Sequence, residues 1–183
     1  MPGLQIADIA HATSARLDLR SFVGRNPKLI DSRDVACLSL LQTDAELPVQ
    51  VIADRIALSP SATSRRIAQL RQSGFILRIV ALLDRRLLRV PTTIFLTVRA
   101  VHNEEWTLRF KDAVAGIPEI VEAHRLAGNL DYILRIVVPD VEAYDYIYKR
   151  LIAEVPIAEV SAYFSMETLK EETALPLNHV GGH

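Results

Sequence analysis

The chain has 183 residues, half of them apolar, and a formal net charge of −1; that is material for one large or two small packed cores and excludes wholesale disorder. The charge is unevenly spread: residues 31–90 carry 9 Lys/Arg against 6 Asp/Glu, and residues 91–183 carry 8 against 14, so only the first half suits a polyanion. The single cysteine, Cys37, rules out an internal disulfide framework, and no apolar run reaches the length of a membrane span; a soluble, cytoplasmic protein without a membrane role is expected.

In residues 1–30, Leu4, Ile6 and Ile9 hint at a short helix, and a loose or partner-packed extension is expected. Asp31 suits a helix N-cap with Asp34 in the first turn, and Val35, Leu38 and Leu41 carry a buried stripe to about Gln42. After the polar break Thr43-Asp44-Ala45-Glu46, Pro48 starts a second helix with Val49, Ile52, Ala53 and Ile56 inward. The third helix lies within ALSPSATSRRIAQLRQSGFI, residues 57–76. Ser59 suits its N-cap, Pro60 its first position and Gly74 its stop, while Thr63, Ile67 and Leu70 share the buried face. The rest of its surface, Ser61, Ser64, Arg65, Arg66, Gln69 and Arg71, is basic and rich in hydrogen-bonding groups, as the major groove demands. Residues 76–83 read as a strand carrying Arg78. Three short helices and a strand outline a winged helix-turn-helix over residues 31–80; a three-helix bundle with no nucleic-acid role is the alternative. Residues 81–92 read as a linker with a basic bend at Asp84-Arg85-Arg86. The apolar character of residues 76–90 calls for something to pair with, a second subunit being the natural candidate.

From Pro91 the hydrophobic period switches between two and 3.6. Residues 94–101 read as a strand, with Ile94, Leu96 and Val98 on one face and Phe95, Thr97 and Arg99 on the other. Asn103 caps a helix that buries Trp106, Phe110, Ala113 and Val114 and stops at Gly116 and Pro118. Strands 120–127 and 132–138 flank the turn Gly128-Asn129-Leu130-Asp131. Asp140 caps a helix whose stripe is Val141, Tyr144, Ile147, Tyr148 and Leu151, and residues 160–166 form a last strand. The order is that of a ferredoxin-like βαββαβ sandwich over residues 93–170, making the whole chain α+β; residues 171–183 are expected to be a frayed tail. A glycine in a tight hairpin lets a ligand approach the backbone, and a nearby Asp accepts from an ammonium, so Gly128, Asn129 and Asp131 suit a zwitterion. Such residues are also ordinary turn formers.

Four stretches, LIDSRDVACLSLLQ, LSPSATSRRIAQLRQSGFI, LAGNLDYILRIVVPDVEAY and AYFSMETLKE, in this order and spacing, resemble the Lrp/AsnC family of prokaryotic transcription regulators over residues 29–172. The resemblance implies double-stranded DNA as partner and a ligand-sensing second domain that forms dimers and higher assemblies such as octamers. It further implies a small effector, commonly an amino acid, held between subunits near the Gly-x-x-Asp turn, with Leu126, Tyr163 and Ser165 as its walls. Ser59, Ser61, Ser64, Arg65 and Gln69 are expected to face DNA, with Arg78 and the Arg85-Arg86 pair as candidates for phosphates. Arg66 matches the family's arginine before the apolar Ile, and stands equally well as a DNA contact or an intramolecular ion pair. The chain departs from the family pattern at Ala57, where glycine is usual, at Pro48, where a polar cap is usual, at Arg71, often Glu, and at Asn129, often acidic. Siroheme decarboxylases resemble this family in fold, which makes His124 and Arg125 the candidates for an enzyme; a non-DNA-binding oligomeric sensor is a further alternative. The five histidines are scattered, with no metal-ligand spacing and no Ser/His/Asp or Cys/His grouping, so no metal, cofactor or catalysis is expected.

Overall fold

A computed structural model describes residues 30–100 and 103–180. The expected extension before residue 30 and the end of the strand expected at 101 lie outside these residues. The described residues divide into two compact units, one made of residues 30–79 together with 173–180, the other of residues 80–100 together with 103–172.

The helical unit contains α1 (Ser32–Thr43), α2 (Val49–Arg55) and α3 (Pro60–Gln72). Helix α1 starts with a full capping box: the Asp31 carboxylate accepts the Asp34 N–H, and the Asp34 carboxylate accepts the Asp31 N–H. Cys37, Ile52, Ile56, Ile67 and Leu70 form the core, with Leu38, Leu41, Leu58, Phe75 and Ile76 packed around it. Two expectations need correction. In α1 the fully buried residue is Cys37, with Val35, Leu38 and Leu41 only half-buried. Val49, in the first turn of α2, overhangs the core and is exposed. The tail is also not loose throughout, because the Gln42 side-chain amide donates to the Leu175 carbonyl and accepts its N–H, at 3.0 and 2.9 Å.

The strand expected over residues 76–83 does not form. A strand needs a neighbour to satisfy its backbone, and these residues find none among the described residues: Leu77, Ile79, Val80, Leu82 and Leu83 are all exposed. A turn follows at residues 85–89, in which Arg89 has φ of 60°.

The second unit is built on β1 (Thr92–Arg99), α4 (Glu104–Ala115), β2 (Ile120–Arg125), β3 (Tyr132–Val138), α5 (Val141–Glu154) and β4 (Glu159–Phe164). All pairings are antiparallel, in the order β2-β3-β1-β4, which is the ferredoxin-like arrangement expected. Alternation works as the sequence indicates: Ile94, Leu96 and Val98 with Tyr132, Leu134, Ile136 and Val138 face the helices and are buried. Trp106, Phe110 and Tyr132 stack within this core, with ring centroids 4.6–5.8 Å apart. Val141, expected inward, is exposed in the opening turn of α5, and β4 stops at Phe164, short of the expected Met166. Neither α4 nor α5 has a basic residue in its own last turn. Instead Arg150 of α5 donates to the Gly116 carbonyl that ends α4, and Arg109 of α4 donates to the Glu154 carbonyl that ends α5, both at 2.8 Å.

Candidate functional site

Helix α3 is held from below by three residues and turns Ser61, Ser64, Arg65 and Gln69 outward. Thr63, Ile67 and Leu70 are buried, and the Thr63 hydroxyl donates to the Ser59 carbonyl. Ser59 is the N-cap: its Oγ accepts the Ala62 N–H at 3.3 Å and lies 3.2 Å from the Ser61 Oγ. Ser61, Ser64, Arg65 and Gln69 are exposed, and Arg65 bends back to its own helix, donating to the Ser61 carbonyl at 3.4 Å. Gly74, at φ of 84°, ends the helix as expected. Just before the helix, Ala57 sits at φ of 52°, in the left-handed region that favours glycine.

Arg66 faces the other way. Its guanidinium lies 2.6 Å from Asp34 and 2.8 Å from Asp31, across the start of α1. The Asp34 N–H and, behind it, Arg66 hold the Asp31 carboxyl below its ordinary range, and the two aspartates raise the pKa of Arg66. The two carboxylates that cap α1 therefore also fix the angle of α3. The short spacing Asp-x-x-Asp signals the cap in the sequence; nothing local signals the reach to residue 66.

The effector candidates fall into two groups. Gly128 and Asn129 are exposed at the hairpin tip, and among the described residues no atom beyond the glycine and its chain neighbours lies within 4 Å of the place where a Gly128 Cβ would be, so the backbone is open to approach. Asp131 locks the base of the turn: its carboxylate accepts the Ala100 N–H at 2.8 Å, its own N–H reaches Val98, and its carbonyl accepts the Leu126 N–H. Tyr163 and Ser165 lie elsewhere. Tyr163 pairs with Phe95, and the Ser165 N–H donates to Thr93, whereas Asp131 abuts Val98. From Thr93 to Val98 the strand rises roughly 16 Å, and β4 flanks β1 on the side away from the hairpin. One chain does not bring Leu126, Gly128, Asn129 and Asp131 together with Tyr163 and Ser165.

His124 is exposed on β2, 3.7 Å from Glu122. Among the described residues no group of three or more His, Cys, Asp or Glu is placed to hold a metal ion, and no helix is long and apolar enough to cross a membrane. Sequence reasoning overlooked Glu171, which accepts from both Arg135 (3.0 Å) and Arg85 (3.4 Å) on the sheet face away from the helices. Arg135 also binds Glu122 at 2.6 Å, and its Nε is buried without a partner among the described residues.

Residues 30–76 match the family model of a winged helix-turn-helix DNA-binding domain, and residues 93–175 match that of the Lrp/AsnC ligand binding domain. The HTH-type transcriptional regulator Zrp of Zymomonas mobilis is 52% identical over 153 residues, which is 83% of this chain and all of that protein. The chain belongs to the Lrp/AsnC family of transcriptional regulators. An AsnC family regulator from Agrobacterium tumefaciens has a crystal structure with a TM-score of 0.79 and 43% identity, covering 82% of this chain and 99% of that one. A second Lrp/AsnC-type structure, the regulator NMB0573 from Neisseria meningitidis in complex with L-Met, also has a TM-score of 0.79, at 28% identity, covering 82% of this chain and 98% of that one. Such relatives are named regulators, and this Lrp/AsnC protein is a regulator and not an enzyme on His124 and Arg125.

Proposed function

We propose that the protein is a sequence-specific DNA-binding regulator that assembles at least as a homodimer and responds to an amino acid. The observation that carries the DNA reading is α3 itself, a helix fixed by Thr63, Ile67, Leu70 and the Arg66 clamp, with Ser61, Ser64, Arg65 and Gln69 outward. Ser59 contributes through its cap and Arg66 through its clamp, so both position the helix. Two copies place two such helices in successive major grooves, about 34–36 Å apart on a pseudo-palindromic site. The exposed apolar run from Leu77 to Leu88 supports a second copy as its cover.

An amino acid is the effector class because Gly128 offers an open backbone beside a carboxylate at Asp131, and because the Neisseria relative was solved with L-Met. Leu126, Gly128, Asn129 and Asp131 of one copy meet Tyr163 and Ser165 of another in this reading, which explains why they lie apart in one chain. Selection of bound sites from random DNA with the full chain, followed by gel shift, tests the first claim: Arg65→Ala should cost roughly 1–3 kcal/mol on the selected site if it grips a base. Equal binding of selected and random DNA removes sequence specificity. Calorimetry against the twenty amino acids tests the second, and heats indistinguishable from buffer for all twenty remove that effector class.

A further inference from the structure

Between Asp54 and Asp84 the chain has no acidic residue and five arginines, at 55, 65, 66, 71 and 78. Arg66 is neutralised by Asp31 and Asp34, and Arg65 belongs to the outward face already described. Arg71 and Arg78 are both exposed, and neither makes an ion pair among the described residues. The backbone brings them together. At the end of α3 the N–H groups of Phe75 and Ile76 both donate to the Leu70 carbonyl, at 2.9 and 3.2 Å, and Gly74 supplies the left-handed turn. The chain therefore doubles back beside the last turn of the helix, and Arg71 and Arg78 line one cleft of about 310 Å³ with Ile76, Leu77 and Ile79. Arg71 lies two turns after Ser64 and so continues the flank on which Ser64 stands.

We propose that this cleft receives a backbone phosphate of the duplex, gripped by Arg71 and Arg78 together. The chemistry is that of an anion between two guanidiniums, with no carboxylate in the lining to compete. The position fits: residues early in a recognition helix reach base edges, while its far end and the segment after it run past the sugar-phosphate backbone. The proposal rests on the DNA reading above and adds to it a residue, Arg71, whose charge is opposite to the Glu common at that place in the family. Such a grip strengthens binding to any sequence alike.

The test is affinity as a function of salt for the full chain, on a selected site and on random duplex, for the wild type, Arg71→Gln, Arg78→Gln and the double variant. Lys111→Gln, an exposed site in the other unit, controls for net charge. The slope of log affinity against log salt should become shallower by about 0.9 for each phosphate no longer gripped. The loss should be the same on both DNAs and absent in Lys111→Gln, and in the double variant it should reach one phosphate in total, less than additive, because both arginines hold the same anion. Wild-type binding with unchanged slopes in the arginine variants overturns the cleft alone. So does a loss confined to one base position, which marks a base reader, or a lowered melting temperature with an unchanged slope, which marks an arginine serving only the helix end. A wild type that binds no duplex at all overturns the DNA reading and the cleft with it.

Discussion

Each unit of the molecule holds one arginine between two carboxylates, and the two clamps differ in what they secure. Arg66, 26% exposed, joins α3 to the first turn of α1 through Asp31 and Asp34, which are themselves cap residues. Arg135, 25% exposed, lies on the open sheet face between Glu122 and Glu171, with its Nε buried and unpartnered among the described residues. The first clamp closes a unit with six buried apolar residues among those described; the second decorates a sheet unit with thirteen. Where the core is small, orientation must come from a charged pair between helices. Where the core is large, the sheet register already sets the geometry, and the pair adds little.

The contrast is open to measurement because each unit carries its own probe. Trp106, the only tryptophan, is buried in the sheet unit, and Cys37, the only cysteine, is buried in the helical unit. Burial, and behind it the Asp34 charge, also raises the Cys37 thiol pKa, so the thiol should be slow to label until that unit opens. The largest effect should come from Leu134→Ala, fully buried in the sheet core, at about 2–5 kcal/mol by Trp106 fluorescence in denaturant. Arg66→Ala should cost about 1–3 kcal/mol, discounted for its partial exposure, and appear as faster labelling of Cys37 with the Trp106 transition unmoved. A shift of both probes together would erase the distinction between the units. Ala57→Gly should stabilise the helical unit by about 1 kcal/mol, because it relieves a left-handed alanine; slower Cys37 labelling is the expected sign. Glu171→Ala, at a half-exposed carboxylate, should cost less than about 1 kcal/mol, and a cost equal to that of Arg66→Ala would show that the second clamp is structural after all. Acid gives the smallest effect. The Asp31 carboxyl has a folded pKa below its ordinary 3.8, so its contribution is complete above that range and is lost as pH falls through the folded value. The stability gap between wild type and Asp31→Asn should therefore narrow below about pH 4, and a gap that widens would contradict the sign.

What the sequence reveals follows the range of the interactions. Ser59, Pro60, the Thr63-Ile67-Leu70 stripe and Gly74 define α3 because caps and helical spacing act within a few residues. Asn103 and Asp140 mark α4 and α5 for the same reason, each accepting the N–H three residues on. Strand alternation gives the buried faces of β1 and β3 but is silent about neighbours, so residues 76–83 read as a strand that the single chain does not pair. Val49 and Val141 keep the helical period yet sit in first turns beyond the edge of their cores. Register is the least legible. Nothing in the order of residues says that Asp131 meets one end of β1 while Ser165 meets the other, and so the effector candidates look adjacent in sequence logic and are not in the fold. The ion pair named as one alternative for Arg66 does form, but its partners, like Glu171 altogether, escape for a related reason, since they lie 32 and 36 or more residues away.

The crossed arginines of the second unit have a consequence for how it loosens. Because Arg109 secures the end of α5 and Arg150 the end of α4, a carbonyl at the end of each is held by the neighbouring helix. The paired ends should exchange their amide hydrogens in step, with Arg109→Ala speeding exchange in the final turn of α5. The two helix ends are thereby tied to each other directly, through two guanidiniums and not through the sheet.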